Sequence, residues 1–365
     1  MSNPPPSTEE EYGVTTLELF FDLVFVFVIT QLTSVLVAEL SLLGLLRVTL
    51  MFVALWWMYS GYAWLTNTRT PVAAGHRLLL LVGMGGFLLV ALATPHAFDG
   101  GGAWWGVGYL IVVLVHGGLY LQFTPKFIRV LPANLIAAGC VIATGFVDGA
   151  LVYVLWALAV FIPIAMPYIV PPGGRFLLQA SHIVERHGLL VLITFGESVV
   201  AIGIGVAGQD LDLELAQAAL LGLALVAALW WTYFAGDDER TERALAMADS
   251  GRRTQMVMYG YFYAHIPILI GVIAMAAGIK KAMGHMYESL HAGPSVALAG
   301  GLALYLLGDV WFRRIMGIGP SATRPAAAAL ALATIPLGAV VAELQVVVLV
   351  AILAGALVLE RRPAE

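Results

Sequence analysis

Long apolar runs broken by short polar or glycine-containing links set the pattern of this chain, and a bilayer crossing by a helix needs about 20 such residues in a row. By that measure the sequence predicts twelve spans, at residues 15–38, 46–66, 77–94, 104–122, 129–146, 149–168, 188–207, 215–235, 256–278, 294–312, 325–341 and 343–360. Some links are very short, notably Asp148-Gly149 and the break at Ala342-Glu343. The first thirteen residues carry three prolines and Glu9-Glu10-Glu11 without a lysine or arginine. They read as a disordered tail rather than a cleaved signal peptide.

Charge placement orients these spans independently of hydropathy, because Lys and Arg collect in cytoplasmic loops close to span ends. The even-numbered loops and the C-terminal tail hold Arg69, Arg77, Lys126, Arg129, Arg175, Arg186, Arg240, Arg243, Arg252, Arg253, Arg313, Arg314, Arg324, Arg361 and Arg362. The odd-numbered links hold Arg47, Lys280 and Lys281, a split of fifteen against three. Both termini are therefore expected in the cytoplasm.

The two halves resemble each other. Trp56-Trp57-x-Tyr59 recurs as Trp230-Trp231-x-Tyr233, and Asp22 and Glu197 stand 34 and 33 residues before the two Trp pairs. Arg129-x-x-Pro132 before an alanine-rich span is echoed by Arg324-Pro325 before another. Six spans per unit is an even number, so the repeats are expected to be parallel, related by an axis along the membrane normal. The expected fold is thus all-α: a polytopic membrane bundle of about twelve transmembrane helices, with a tail at 1–13 and six-span repeats at 14–172 and 173–365.

Composition agrees: of 365 residues 61% are hydrophobic and 11% charged, and the mean hydropathy is +0.91. A net charge of −5 leaves no basic field for nucleic acid. The single cysteine, Cys140, cannot form an internal disulfide. No cofactor or metal site is read: Gly203-Ile-Gly205-Val-Ala-Gly208 follows no strand, and no P-loop, H-E-x-x-H or paired C-x-x-C occurs.

Chemistry has to come from ionisable groups inside the spans, where each is a functional hypothesis by default. The run from Glu18 to Gln31 places Glu18 and Asp22 four residues apart on one helix face, so another part of the chain must receive them. Thr15 and Glu18 match a capping box. Asp22 lies too deep for the cap, and Gln31, on the opposite face, reads as an interhelical hydrogen-bond former. His182-x-x-Glu185-Arg186 reads as an interfacial salt-bridged cluster, two ligand types being too few for a metal. Glu197 is expected near mid-membrane, with the small Gly196 and Ser198 leaving room for water. His265 precedes Pro267 in the ninth span, and His116 and Asp309 occupy corresponding places in spans four and ten, Asp309 within reach of Arg313. Asp237-Asp238-Glu239-Arg240 reads as solvated loop charge, and the Trp pairs as packing against the acidic helices.

The motif Glu18-Leu-Phe-Phe-Asp22-Leu-Val-Phe-Val-Phe, with His182…Glu185-Arg186-x-Gly188…Gly196-Glu197-Ser198 further on, resembles the low temperature requirement A family of bacterial membrane proteins. The resemblance spans nearly the whole chain and implies a multi-pass protein of the bacterial cytoplasmic membrane, linked by name to growth in the cold, with Glu18, Asp22, Glu185, Arg186 and Glu197 as motif members. A fainter similarity is to the lysosomal-type potassium channel family, with Phe20-Phe21-Asp22 in place of its Phe-Ser-Asp. Thr16 stands where that family carries arginine, so potassium selectivity is not carried over.

The expected function is a small-solute or ion transporter or channel, proton coupling being compatible with it, with Asp22 and Glu197 facing one polar cavity that His265, His116 and Asp309 extend. Glu18, Gln31, His182, Glu185, Arg186 and Ser198 would support that path. Membrane lipids and a small ion or solute are the expected partners, and a homo-oligomer is compatible. Two alternatives stay open: an intramembrane lipid-modifying enzyme using His182, Glu185 and residues 237–239, and a non-transporting structural or sensing scaffold.

Overall fold

The computed structural model describes residues 13–68, 73–123, 128–169, 178–319 and 322–360. The N-terminal tail, the boundary between the expected repeats and Arg69, Lys126, Arg175, Arg361 and Arg362 lie outside the described residues.

Fifteen α-helices follow one another among them. These are α1 (Thr16–Ala38), α2 (Leu42–Thr68), α3 (Ala74–Ala93), α4 (Gly102–Phe123), α5 (Leu131–Thr144), α6 (Ala150–Ile169), α7 (Ala180–Gly205) and α8 (Leu213–Phe234). Then come α9 (Asp237–Met247), α10 (Ser250–Val257), α11 (His265–Met283), α12 (Ala292–Met316), α13 (Thr323–Ala333), α14 (Ile335–Gly338) and α15 (Ala342–Glu360). A π-helical segment, Met258–Ala264, joins α10 to α11 in one rod.

Ten of these stretches are long and apolar enough to cross a membrane: α1 to α4, α6, α7, α8, the α10–α11 rod, α12 and α15. Their outward residues say the same. Leu78, Leu92, Trp104, Phe161 and Leu220 are each at least 60% exposed, which suits lipid tails rather than water.

The other two expected spans are shorter than a crossing requires. At 1.5 Å per residue the 14-residue α5 is about 21 Å long, against a hydrocarbon core of about 30 Å. The stretch expected at 325–341 is broken into α13 and α14, where Pro336 enters at the first turn of α14. Residues 237–247, expected as loop, form α9. Asp237, Thr241 and Leu245 recur every fourth residue and are all buried, while the rest of that helix is largely polar.

Close packing at glycine draws two helix pairs together. A Cβ on Gly271 of α11 would stand 2.6 Å from the Gly301 carbonyl of α12, and one on Gly86 of α3 2.9 Å from the Gly108 carbonyl of α4. Without a hydrophobic driving force between helices in lipid, such close van der Waals contact is a main source of cohesion. Between the two pairs run α1, α2 and α7. The α11 helix is the centre of the bundle, with every residue from Ile268 to Ile279 buried.

Val14 bonds Glu185 near the start of α7, and Glu360 at the end of α15 reaches Arg324 at the start of α13. Gly13 and Glu360 therefore lie on one face of the bundle, hereafter the termini face.

Candidate functional site

The capping box at Thr15 forms, with the Thr15 amide and hydroxyl both donating to Glu18 Oε2, at 2.9 and 2.8 Å. That leaves Glu18 Oε1 pointing across to α7. There it accepts from Arg186 Nη1 at 2.9 Å and from His182 Nε2 at 3.1 Å. One turn on, Asp22 Oδ1 accepts from Arg186 Nη2 at 3.3 Å and from the Tyr59 hydroxyl of α2 at 2.9 Å. The Thr66 hydroxyl also accepts from Arg186 Nη1. The receiver demanded by the acidic face of α1 is thus Arg186, which is 1% exposed and is flanked at 5.7 Å by the rings of Phe21 and Tyr59. Glu18 is both cap and ion-pair member.

The protonation of His182 follows from its neighbours. The Gln179 amide donates to Asn67 Oδ1 at 3.1 Å, which fixes the Asn67 side chain with its NH2 group toward His182 Nδ1, 3.2 Å away. An amide NH2 can only donate, so Nδ1 accepts, the proton sits on Nε2, and the ring is neutral. Two buried carboxylates thus face one guanidinium. Asp22 Oδ2 is buried with no hydrogen-bond partner among the described residues. The gap beside the network, bounded by Glu18, Phe21, Tyr62, Thr66 and Arg186, is too narrow to seat a water.

A second buried network lies on the same face. Arg324 of α13 is 2% exposed and pairs with Asp309 of α12. Its Nε and Nη2 also grip both oxygens of Glu360, at 3.0 and 3.1 Å, the fork geometry that suits arginine to carboxylates. Arg313 turns instead to Asp237 of α9 at 3.2 Å and to Glu360 at 3.6 Å. Two expectations are corrected. Asp309 pairs with Arg324 rather than with Arg313 one turn along, because Arg324 reaches it from a neighbouring helix. Asp237 is 5% exposed rather than solvated, because α9 folds back against α7, α8 and α12.

Between the networks stands a column of rings. His265 follows the π-helical segment and bonds the Gly260 carbonyl through Nδ1 at 2.9 Å and the Tyr233 hydroxyl through Nε2 at 2.8 Å. His187 bonds the Ile183 carbonyl through Nδ1 at 2.9 Å and packs 4.4 Å from Tyr261, 5.9 Å from His265 and 6.0 Å from Trp56. Trp56 stacks on Tyr59, whose hydroxyl reaches Asp22. His116 is buried against the rings of Tyr62 and Tyr120, apart from this column.

Glu197 lies deeper. Counted from Ala180, it is about 26 Å along α7, closer to the middle of that helix than to its far end. Its Oε2 accepts from the Thr30 hydroxyl of α1 at 2.6 Å, and Lys280 of α11 acts on it electrostatically. Ser198 beside it is buried with no hydrogen-bond partner among the described residues, and Gln31 is half-buried. Asp22 and Glu197 therefore belong to separate clusters about eight residues apart along α1, roughly 12 Å in depth. The gap beside Arg186 does not touch Glu197.

His182, Glu185 and residues 237–239 do not converge on one groove. His182 turns inward to Glu18 and Asn67, Glu185 is exposed and accepts from the Val14 amide, and Asp237 joins the other network. The Trp pairs also part company: Trp56 is buried, whereas Trp230 and Trp231 are 41% and 45% exposed on the outer face of α8. Among the described residues no three His, Cys, Asp or Glu side chains gather as a metal site requires. Tyr59, Thr66, Asn67, His187, Arg324 and Glu360 were not read as site residues by sequence. Tyr59, in the recurring Trp-Trp-x-Tyr motif, and Arg324, an arginine at the start of a predicted span, carried signals that could have marked them.

The sequence model of the bacterial low temperature requirement A protein matches residues 13–359. An uncharacterized protein of Rhizobium meliloti (strain 1021) is 30% identical over 317 residues, which cover 82% of this chain and 76% of that relative. With the acidic first helix and its arginine partner in place along a match of this length, the chain belongs to the low temperature requirement A family of bacterial multi-pass membrane proteins.

Proposed function

We propose that this protein is a small-solute or ion transporter or channel of the bacterial cytoplasmic membrane, coupled to protons or a small cation through carboxylates inside its spans, with both termini cytoplasmic. The observation that carries this reading is the stoichiometry around Arg186: Glu18 and Asp22 face one guanidinium and a neutral His182. A buried charge without a partner is costly, so the remaining negative charge calls for a mobile cation, a proton above all. The open Oδ2 of Asp22 is where it would bind. A scaffold that merely ties helices together would have every carboxylate oxygen satisfied.

Toward the far face the path continues to Glu197 through the α1–α7 contact marked by Thr30. Ser198 and Thr33, both buried hydroxyls with no hydrogen-bond partner among the described residues, are the groups that a passing ion or water would engage. We read this conformation as occluded, since the space at Glu18 is too tight for water. That favours a carrier over an open pore.

The same reading takes the chain as two parallel six-helix units, 14–172 and 173–365. Packing supports it: α3 against α4 is matched by α11 against α12, α1 against α3 by α7 against α11, and α2 against α6 by α8 against α15. The paired glycines Gly108 and Gly301 each precede, by eight residues, the ionisable groups His116 and Asp309.

Flux across a pH gradient in liposomes holding the purified chain tests the proposal. Asp22→Asn and Glu197→Gln are each expected to lower it at least about tenfold. Parental flux in both variants would remove these carboxylates from the path.

A further inference from the structure

A second, small cavity, with room for about one water molecule, lies on the termini face among α7, α8, α9, the π-helical segment and α12. Its polar lining is Tyr233, Asp237, Asp238, Thr241, Tyr261 and Asp309. Thr241 is 1% exposed, and its hydroxyl has no hydrogen-bond partner among the described residues. Buried hydroxyls are almost always satisfied, by protein or by ordered water. A hydroxyl left open on a cavity with room for one water points to a bound water.

The charges facing the cavity are unbalanced. Asp237 and Asp309 line it, and Glu360 stands behind them, against the buried guanidiniums of Arg313 and Arg324. Asp238 and the half-exposed Arg240 stand at its rim. With the rim included, four carboxylates (Asp237, Asp238, Asp309 and the half-buried Glu360) stand against three guanidiniums (Arg240, Arg313 and Arg324), a balance that favours a positively charged occupant.

One lining group connects the cavity to the interior. The Gly260 carbonyl can only accept, so His265 Nδ1 carries a hydrogen and, in the neutral ring, Nε2 is the bare nitrogen. The Tyr233 hydroxyl therefore donates to Nε2 at 2.8 Å, leaving its own lone pairs for a donor on the cavity side. Beyond His265, the same argument applied to the Ile183 carbonyl leaves His187 Nε2 bare, and it is buried with no hydrogen-bond partner among the described residues. Tyr261, Trp56 and Tyr59 pack around His187, and Arg186 and His182 are its charged or titratable neighbours on α7.

We propose that this cavity is the proton-loading site of the termini face: a water held by Thr241 and the Asp237–Asp309 pair passes a proton to Tyr233, and Tyr233 passes its own to His265. The step balances. The protonated water gives H+ to the Tyr233 oxygen as the former Tyr233 hydrogen moves to His265 Nε2, so that tyrosine ends neutral, water is regenerated and the imidazole becomes imidazolium. This rests on the transport reading and adds to it the side and the residues of proton uptake.

The test uses the full chain in liposomes with a trapped pH-sensitive dye, and proton influx driven by a potassium diffusion potential. Thr241→Val keeps the side-chain shape and is expected to lower influx at least about fivefold, Tyr233→Phe at least about tenfold, and Thr241→Ser is expected to retain the parental rate. Unfolding temperatures in detergent identify variants that retain the fold. Parental influx unchanged in both the Val and the Phe variants would overturn the loading site while leaving transport standing, and so would a Thr241→Ser rate as low as that of Thr241→Val. No influx in the parent would overturn the transport reading and this site with it.

Discussion

Replacing Arg186 by Met keeps much of the stem packing and removes the charge on which the first network depends. Glu18 and Asp22 would remain at 2% and 0% exposed, held by Thr15, a neutral His182 and Tyr59. Removing one partner of a buried ion pair costs about 3–5 kcal/mol, because the other charge stays desolvated and unpaired. The two lost bonds to carboxylates, at about 1.5–3 kcal/mol each, lead to a similar sum. The same reasoning says that the loss belongs to the stranded acids rather than to arginine itself. Adding Glu18→Gln and Asp22→Asn to Arg186→Met should therefore restore stability to within about 1–2 kcal/mol of the parent. Reversible unfolding in mixed micelles, comparing parent, single and triple variants, gives the three free energies. A single variant as stable as the parent, or a triple variant as unstable as the single, would refute the reasoning.

Three further outcomes are expected. Gly271→Val should lower the unfolding free energy by about 1–3 kcal/mol, since its Cβ would press on the Gly301 carbonyl, whereas Gly300→Ala, whose nearest neighbour is a Val296 methyl at 3.9 Å, should be tolerated in the same unfolding assay. Thr30→Val should cost about 1.5–3 kcal/mol by removing a hydrogen bond to a carboxylate, with Thr30→Ser retaining most of the parental stability. In a Cys140→Ala background, which leaves no other cysteine, Ser250→Cys and Gln209→Cys should react with a membrane-impermeant maleimide from opposite sides, Ser250→Cys from the cytoplasm; labelling of both from one side would contradict the topology.

Much of the fold is written locally and could be read. Each long span needs only its own apolar run, and the capping box at Thr15 is decided within four residues. Helix length was harder: α5 and the α13–α14 break depend on where Pro132, Gly145 and Pro336 stop a helix inside apolar sequence. The site was legible on one side. The acids of α1 announced that they needed a receiver, but Arg186 lies 164 residues from Asp22, and hydropathy carries no information about which helix packs there. The start of α7 was hidden for a related reason: the span was expected from residue 188, whereas the helix begins at Ala180, because Glu18 of α1 pairs with Arg186 and accepts from His182 and so lets both enter the bundle.

On the transport proposal, the surplus carboxylate beside Arg186 carries a mobile proton or cation across the bundle. The most direct measurement is proton flux through the wild-type chain reconstituted at known density, against protein-free liposomes of the same lipid, with a potassium diffusion potential of either sign. The account expects flux above the lipid baseline that follows the sign of the potential and scales with protein density. Flux equal to the baseline at every density would contradict it.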